Sequence, residues 1–168
     1  DADRCAIAAV IDGDWRMLTG DELGSLLADD LLRQGLAGTF ACSVVSSTLF
    51  GAMAAAHGQP FATTLTGFKW IGRVPGMAFG YEEAIGYCTD PEAVKDKDGI
   101  SAMLRVATLV DDLARDGRVI PDALDDLEKM RESEGAALAD ELNSRLTGIE
   151  SRLPAIEVES AKVAAEYH

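Results

Sequence analysis

A chain of 168 residues with 15 Lys and Arg against 29 Asp and Glu carries a formal charge of −14, with 48% hydrophobic and 26% charged residues. That is the profile of a soluble globular protein rather than a disordered or fibrous one. Its acidity excludes generic binding to nucleic acid or anionic membranes, which relies on Lys and Arg, but not binding of a phosphorylated small molecule. No uninterrupted apolar run reaches the ~18 residues that suggest a membrane-spanning helix, and the charged start Asp1-Ala2-Asp3-Arg4 does not fit a signal peptide. A cytoplasmic location is the expectation.

Cys5–Ile11 is a near-continuous apolar run of strand length, ended by the turn residues Asp12-Gly13-Asp14. Thr19 with Glu22 forms a capping-box pattern, and Leu23, Leu26, Leu27, Leu31 and Leu32 follow at helical spacing until Gly35. Phe40–Val45 reads as a second strand, Thr48–His57 as a helix closed by Gly58, and Phe61–Leu65 and Met77–Tyr81 as further strands. Ile100–Leu113 has helical periodicity and stops at Gly117. Strands alternating with helices predict an α/β fold, a mixed sheet layered by helices.

Composition changes near Val110. Residues 1–110 hold nine of the ten aromatics and 13 of the 16 glycines; residues 111–168 hold only Tyr167 among aromatics and 15 acidic against 7 basic residues. The back of the chain is therefore expected to be a helical tail. Leu138, Leu142, Leu146, Ile149, Leu153 and Ile156 make one apolar stripe, weakened at Gly148 and expected to break or kink at Pro154. A dimerising coiled coil, a helix packed on its own domain and a poorly ordered tail are the alternatives, so a homodimer is an open option without support.

Cys5, Cys42 and Cys88 are widely spaced, with no C-x-x-C and no nearby His, and read as buried reduced thiols. His57 reads as a helix-end or surface group, His168 as a disordered terminus, and Ser46-Ser47 as a helix cap rather than a nucleophile.

Three segments have chemical potential. Asp1 and Asp3, alternating in a loop before a strand, can face a hard cation or simply be solvated. Thr66-Gly67-Phe68-Lys69 follows a strand and can either hold an anion or make an ordinary strand-to-helix turn. Glu82 and Glu83 follow a strand and suit sugar hydroxyls, while Lys97 precedes a helix whose start favours anions; acids decorating a helix start are the plain alternative.

In this order the stretches DADR (1–4), TGFKW (66–70), FGYEEAIGY (79–87) and DKDGISA (96–102) resemble the α-D-phosphohexomutases, the phosphoglucomutase/phosphomannomutase superfamily. WRMLTGDELG (15–24) and the Ser46-Ser47 context are similar too, and the resemblance runs to about residue 127. It implies residues 1–13 as the remnant of a second domain, carrying its metal loop and strand, 14–127 as the third domain with its sugar-recognition loop, and 128–168 as a helical tail of uncertain assignment. It implies Asp1 and Asp3 as the second and third aspartates of a Mg²⁺ loop, whose first would lie two residues before Asp1, and Arg4 as that loop's arginine. Glu82 takes the place of the sugar-gripping Glu, Ala84 that of a Ser whose hydroxyl contact is lost, Thr66 and Gly67 that of a substrate-contacting turn. Lys97 takes the place of a lysine near the reacting sugar and phosphate, able to assist proton transfer if its pKa is lowered.

The implied reaction moves a phosphate between O1 and O6 of glucose or mannose through a phosphoserine and a bisphosphorylated sugar. The resemblance also implies that the phosphoserine loop and a distal phosphate-gripping loop are missing here, so the isolated chain is expected not to turn over and to bind Mg²⁺ poorly. The alternative function is a stand-alone module that binds sugar phosphates or a partner without catalysis. Glucose, mannose and pentose phosphates are not distinguished.

Overall fold

The computed structural model describes residues 1–166; Tyr167 and His168, including the expectation for His168, lie outside the described residues. The chain groups into two compact units, residues 1–130 and residues 131 onward.

The first unit opens with a hairpin, β1 (Ala8–Ile11) antiparallel to β2 (Asp14–Met17). The expected strand is thus shorter at its start: the Ile7 carbonyl still accepts from Leu18 N–H in line with the hairpin, but Cys5 N–H turns to the Ile85 carbonyl. Strand β2 escaped the sequence reading because its large residues are not buried: Trp15 and Met17 lie open to solvent, so no core-facing alternation marks it.

Helix α1 (Gly20–Arg33) begins with the predicted capping box, in which Thr19 Oγ1 accepts from Glu22 N–H and the Glu22 carboxylate accepts from Thr19 N–H. Its leucines 23, 26, 27, 31 and 32 are all buried. The main sheet contains β3 (Thr39–Ser43), β4 (Phe61–Thr64), β5 (Met77–Glu82) and β6 (Gly86–Cys88) in the order β4-β3-β5-β6. Strand β3 is parallel to both β4 and β5, and β6 is antiparallel to β5. The mixed sheet of the sequence reading is therefore present. Its last strand is three residues long, too short to announce itself by periodicity.

Helix α2 (Leu49–Ala56) connects β3 to β4, α3 (Phe68–Ile71) stands between β4 and β5, and α4 (Gly99–Arg115) follows β6. Thr48 occupies the N-cap of α2 without a side-chain bond, while the neighbouring Ser47 Oγ accepts from Leu49 N–H. His57 closes α2 as an exposed C-cap residue.

Successive side chains of a strand point to opposite faces, and two cores follow from that. Phe40, Cys42, Phe79, Tyr81 and Tyr87 join the larger core with α1, α2, α4 and the start of α5 (Ile120–Glu150). Ala41 and Cys88 face the other way, onto Phe68 and Ile71 of α3, and Met77 joins them because the β3–β5 register shifts between Thr39 and Phe40. Phe50 meets Phe40, Phe79 and Tyr81 edge-on at 5.8, 5.8 and 5.1 Å between ring centres. Edge-to-face pairs of this kind each add ~0.5–1.5 kcal/mol beyond burial. The three cysteines are free and buried, as expected.

The second unit comprises α5 from Arg131 and α6 (Leu153–Glu166). The helix passes Gly148 and breaks at Ser151-Arg152, before Pro154 rather than at it. Proline lacks an N–H and is tolerated in a helix's first turn, where that donor has no partner anyway. All six stripe residues from Leu138 to Ile156 are exposed. No helix of the described residues is long and apolar enough to cross a membrane.

Candidate functional site

The carboxyl ends of β3, β4 and β5 share one edge of the sheet, since the three strands run parallel. From β3 the chain leaves toward β4 on one side; from β5 it leaves toward β6 on the other. The crevice between β3 and β5 is thus a point where connections diverge, the usual ligand position in open α/β sheets.

At that edge β5 ends in Glu82, and residues 83–85 turn the chain into β6 with Glu82 opposite Gly86. The pleat that sends Tyr81 into the larger core sends Glu82 to the α3 face. There Glu82 is 6% exposed, yet its carboxylate has charged neighbours: Arg4 Nη2 lies 3.9 Å from its Oε1. Burial raises the Glu82 pKa, with Glu83 and Asp96 adding to that and Lys97 and Arg4 opposing it. Gly86 sits between the Glu82 and Lys97 side chains, and a Cβ there would come within 3.0 Å of both.

Arg4 reaches this place because residues 2–5 are tied down on both sides. The Ala2 carbonyl accepts from Gly99 N–H at the start of α4, and Cys5 N–H donates to the Ile85 carbonyl. Arg4 itself donates through Nη1 to the Ala84 carbonyl. Lys97 stands just before Asp98, whose side chain caps α4. Its Nζ is 3.3 Å from Asp3 Oδ2 and 3.3 Å from Asp96 Oδ1, and 5.6 Å from the centre of the Phe68 ring. Desolvation works to lower the Lys97 pKa, but hydrogen bonds to Asp3 and Asp96 outweigh it and the net shift is upward. That direction gives no support to the expectation of a lowered Lys97 pKa.

Asp3, Arg4, Glu82, Ala84 and Lys97 thus come together from three distant parts of the chain. Thr66 and Gly67 lie at the same sheet edge beyond β4, Thr66 exposed and Gly67 at φ 108°, and join the others only through the next residue, Phe68. Asp1 is exposed, and Ala84 is exposed at the tip of the β5–β6 loop. Among the described residues no three His, Cys, Asp or Glu side chains converge to hold a metal. Mg²⁺ takes near-octahedral oxygen coordination. Two carboxylates, one of them occupied by Lys97, do not make a Mg²⁺ site by themselves.

The sequence reading did not single out Asp96 or Ser43 as partners, and it took Ser46 for a helix cap, whereas Ser46 bonds to Ser43 and Glu83 and Thr48 holds the N-cap position. Asp96 lies within the DKDGISA stretch, so that signal was present. Ser43 Oγ–H donates to Glu83 Oε2 at 2.8 Å, and Ser46 Oγ lies 2.9 Å from Ser43 Oγ and 3.3 Å from the same carboxylate oxygen. Glu83, adjacent to Glu82 in sequence, is thereby turned away from it. Chemically, the arrangement offers a buried acceptor for hydroxyl groups with two cations close by.

Residues 19–133 match the family model for phosphoglucomutase/phosphomannomutase, alpha/beta/alpha domain III. The chain is 44% identical over 132 residues to a "Probable phosphomannomutase" of Haemophilus influenzae, covering 77% of this chain and 27% of the relative. It is 41% identical over 133 residues to the phosphopentomutase of Homo sapiens, covering 68% and 22%. A solved structure of a protein assigned as a phosphomannomutase from Thermus thermophilus superposes with a TM-score of 0.65 at 25% identity, over 77% of this chain and 29% of that one. The chain spans about a quarter of the length of these relatives.

Proposed function

This chain belongs to the phosphoglucomutase/phosphomannomutase family through its domain III, and on that premise we propose that it supplies the sugar-recognition part of a Mg²⁺-dependent phosphohexomutase. The reaction interconverts hexose 1-phosphate and hexose 6-phosphate of glucose or mannose, through a phosphoserine and a bisphosphorylated sugar. Residues 1–13 are the end of a preceding domain, 14–127 the recognition domain and 128–168 a helical extension. The observation that carries the reading is the buried Glu82 carboxylate at the carboxyl end of β5, with Arg4 and Lys97 on hand.

Glu82 accepts hydrogen bonds from two sugar hydroxyls, with its low solvent exposure making those bonds selective. Thr66 and the Gly67 backbone approach the sugar from the neighbouring strand end. Arg4 and Lys97 meet phosphate oxygens, and the raised Lys97 pKa keeps that cation charged. Phosphoryl transfer of this type depends on positioning and electrostatic stabilisation. Ala84 adds no hydroxyl. Asp1 and Asp3 contribute to a Mg²⁺ loop that needs further ligands, and Mg²⁺, when bound, withdraws charge from the phosphoryl group. The phosphoserine and the grip on the distal phosphate come from parts of the enzyme other than residues 1–168, so these residues alone bind but do not turn over. A pentose phosphate is the second reading, favoured by the 41% identity to human phosphopentomutase.

Calorimetry of the 168-residue chain with glucose 1-phosphate, mannose 1-phosphate and ribose 1-phosphate tests this. Millimolar-range binding that Glu82→Gln weakens at least about tenfold, the scale of one charge-assisted hydrogen bond, is the expected result. Absence of heat at millimolar ligand, or binding indifferent to Glu82→Gln, overturns it. A preference for ribose 1-phosphate selects the pentose reading.

A further inference from the structure

Two adjacent carboxylates at a strand end look interchangeable in sequence, but the structure gives them different tasks. We propose that Glu83 is a positioning residue: by binding Ser43 and Ser46 across the β3–β5 crevice it locks the β5–β6 loop, and so fixes where Glu82 presents its carboxylate. This rests on the reading of Glu82 as the sugar acceptor.

The loop of residues 83–85 is an unfavourable one to hold. Ile85 lies at φ 56°, a left-handed conformation costly for a β-branched side chain. Such a residue persists only where its surroundings hold it. The Ile85 carbonyl accepts from Cys5 N–H, and the Ala84 carbonyl accepts from Arg4. Both ties come from residues 4 and 5, so they restrain one side of the loop.

Glu83 supplies a restraint from β3 and the segment after it. Its Oε2 accepts from Ser43 Oγ–H at 2.8 Å and from Ser46 Oγ–H at 3.3 Å, and the two hydroxyl oxygens lie 2.9 Å apart. Ser43 is the last residue of β3 and 1% exposed, so the anchor is a rigid strand end rather than a mobile surface group. Hydrogen bonds to an ionised acceptor are roughly twice as strong as neutral ones. The Glu83 backbone is also confined, since a Cβ on Gly20 would come within 1.9 Å of the Glu83 carbonyl oxygen. Both serine bonds fall on Oε2, which ties the Glu83 side chain to the end of β3, and its effect on ligand passes through Glu82.

The test compares Glu83→Ala, Glu83→Gln and the double variant Ser43→Ala/Ser46→Ala in the 168-residue chain, with glucose 1-phosphate as the probe. Glu83→Ala and the double serine variant are expected to weaken binding about tenfold while the chain still melts cooperatively. Glu83→Gln, whose amide oxygen still accepts from Ser43, is expected to stay within about threefold of the parent. In parallel, amide exchange at Ile85 and Gly86 rises in the double serine variant while exchange in α4 does not. Binding unchanged in Glu83→Ala, no rescue by Glu83→Gln, or unchanged exchange at Ile85 and Gly86 overturns the positioning assignment. Indifference of binding to Glu82→Gln instead removes the reading beneath it, and the exchange result still decides whether the loop is locked by the serines.

Discussion

Arg4 and Ala84 stand eighty positions apart, and the guanidinium of one donates a hydrogen bond to the backbone carbonyl of the other. The same guanidinium lies near the Glu82 carboxylate, so one side chain both braces the β5–β6 loop and sets the charge beside Glu82. Arg4→Ala is expected to cost about 1–2 kcal/mol in urea unfolding, a value kept low because the Arg4 side chain is 45% exposed. Arg4→Lys recovers little, since a lysine lacks the planar fork that reaches carbonyl and carboxylate together.

The approach of the first residues to α4 depends on Gly99. A Cβ there would sit 2.2 Å from the Arg4 carbonyl oxygen, which neither backbone can relieve without moving. Gly99→Ala should destabilise the chain by roughly 2–4 kcal/mol in chemical denaturation and raise amide exchange at residues 2–5. Gly135→Ala is the contrast, in open space within α5: it should stabilise that helix by about 0.5–1 kcal/mol.

Asp21 joins α1 to the end of β5 and to the loop before α2, its Oδ1 accepting from Tyr81 Oη–H at 2.8 Å and from Ser47 N–H at 2.8 Å. Asp21→Ala strands the hydroxyl of the fully buried Tyr81 and should cost about 2–3 kcal/mol. Tyr81→Phe removes the donor and leaves Asp21 its backbone partner, so it should cost less. A double-mutant cycle by thermal melting gives the coupling, and additive effects contradict the shared bond.

Acid should loosen the start of α1. Burial works to raise the Glu22 pKa, but Arg16 and Thr19 hold the carboxylate below its ordinary value. A depressed folded-state pKa adds stability above the unfolded value of ~4.3, and that increment is lost as pH falls through the folded value. Stability measured from pH 6 to pH 3 should therefore decline more steeply in the parent than in Glu22→Gln. Thr19→Ala should cost about 1 kcal/mol at pH 7.

The three thiols should resist alkylation in the folded chain. Burial, with Asp21 and Glu83 nearby, pushes Cys42 up to about 12; burial likewise pushes Cys88 up to about 11 and raises Cys5. Iodoacetamide at pH 8 should label none at an appreciable rate until urea unfolds the protein, because the thiolate is the reactive form. Rapid labelling of Cys42 in the native chain contradicts its placement.

Strong local signals were readable without coordinates. Thr19 and Glu22 announce the start of α1 because the capping box is a contact between neighbours, and the leucine spacing identifies its buried face. Strands β2 and β6 were not readable: the first exposes its large residues, and the second has three residues and no period to detect. Pro154 pointed to a break that occurs at Ser151-Arg152, since proline fits a new helix's first turn.

For the site, the sequence by itself determined which residues belong to the family pattern and in what order, because motif identity is carried by short stretches of chain. Tertiary structure alone decided that Asp3, Arg4, Glu82, Ala84 and Lys97 meet, and that Glu83 faces Ser43 and Ser46 while Glu82 faces Arg4. The reason is physical. Strand pleat separates adjacent side chains onto opposite sides, while burial and charge at each depend on groups brought from eighty residues away.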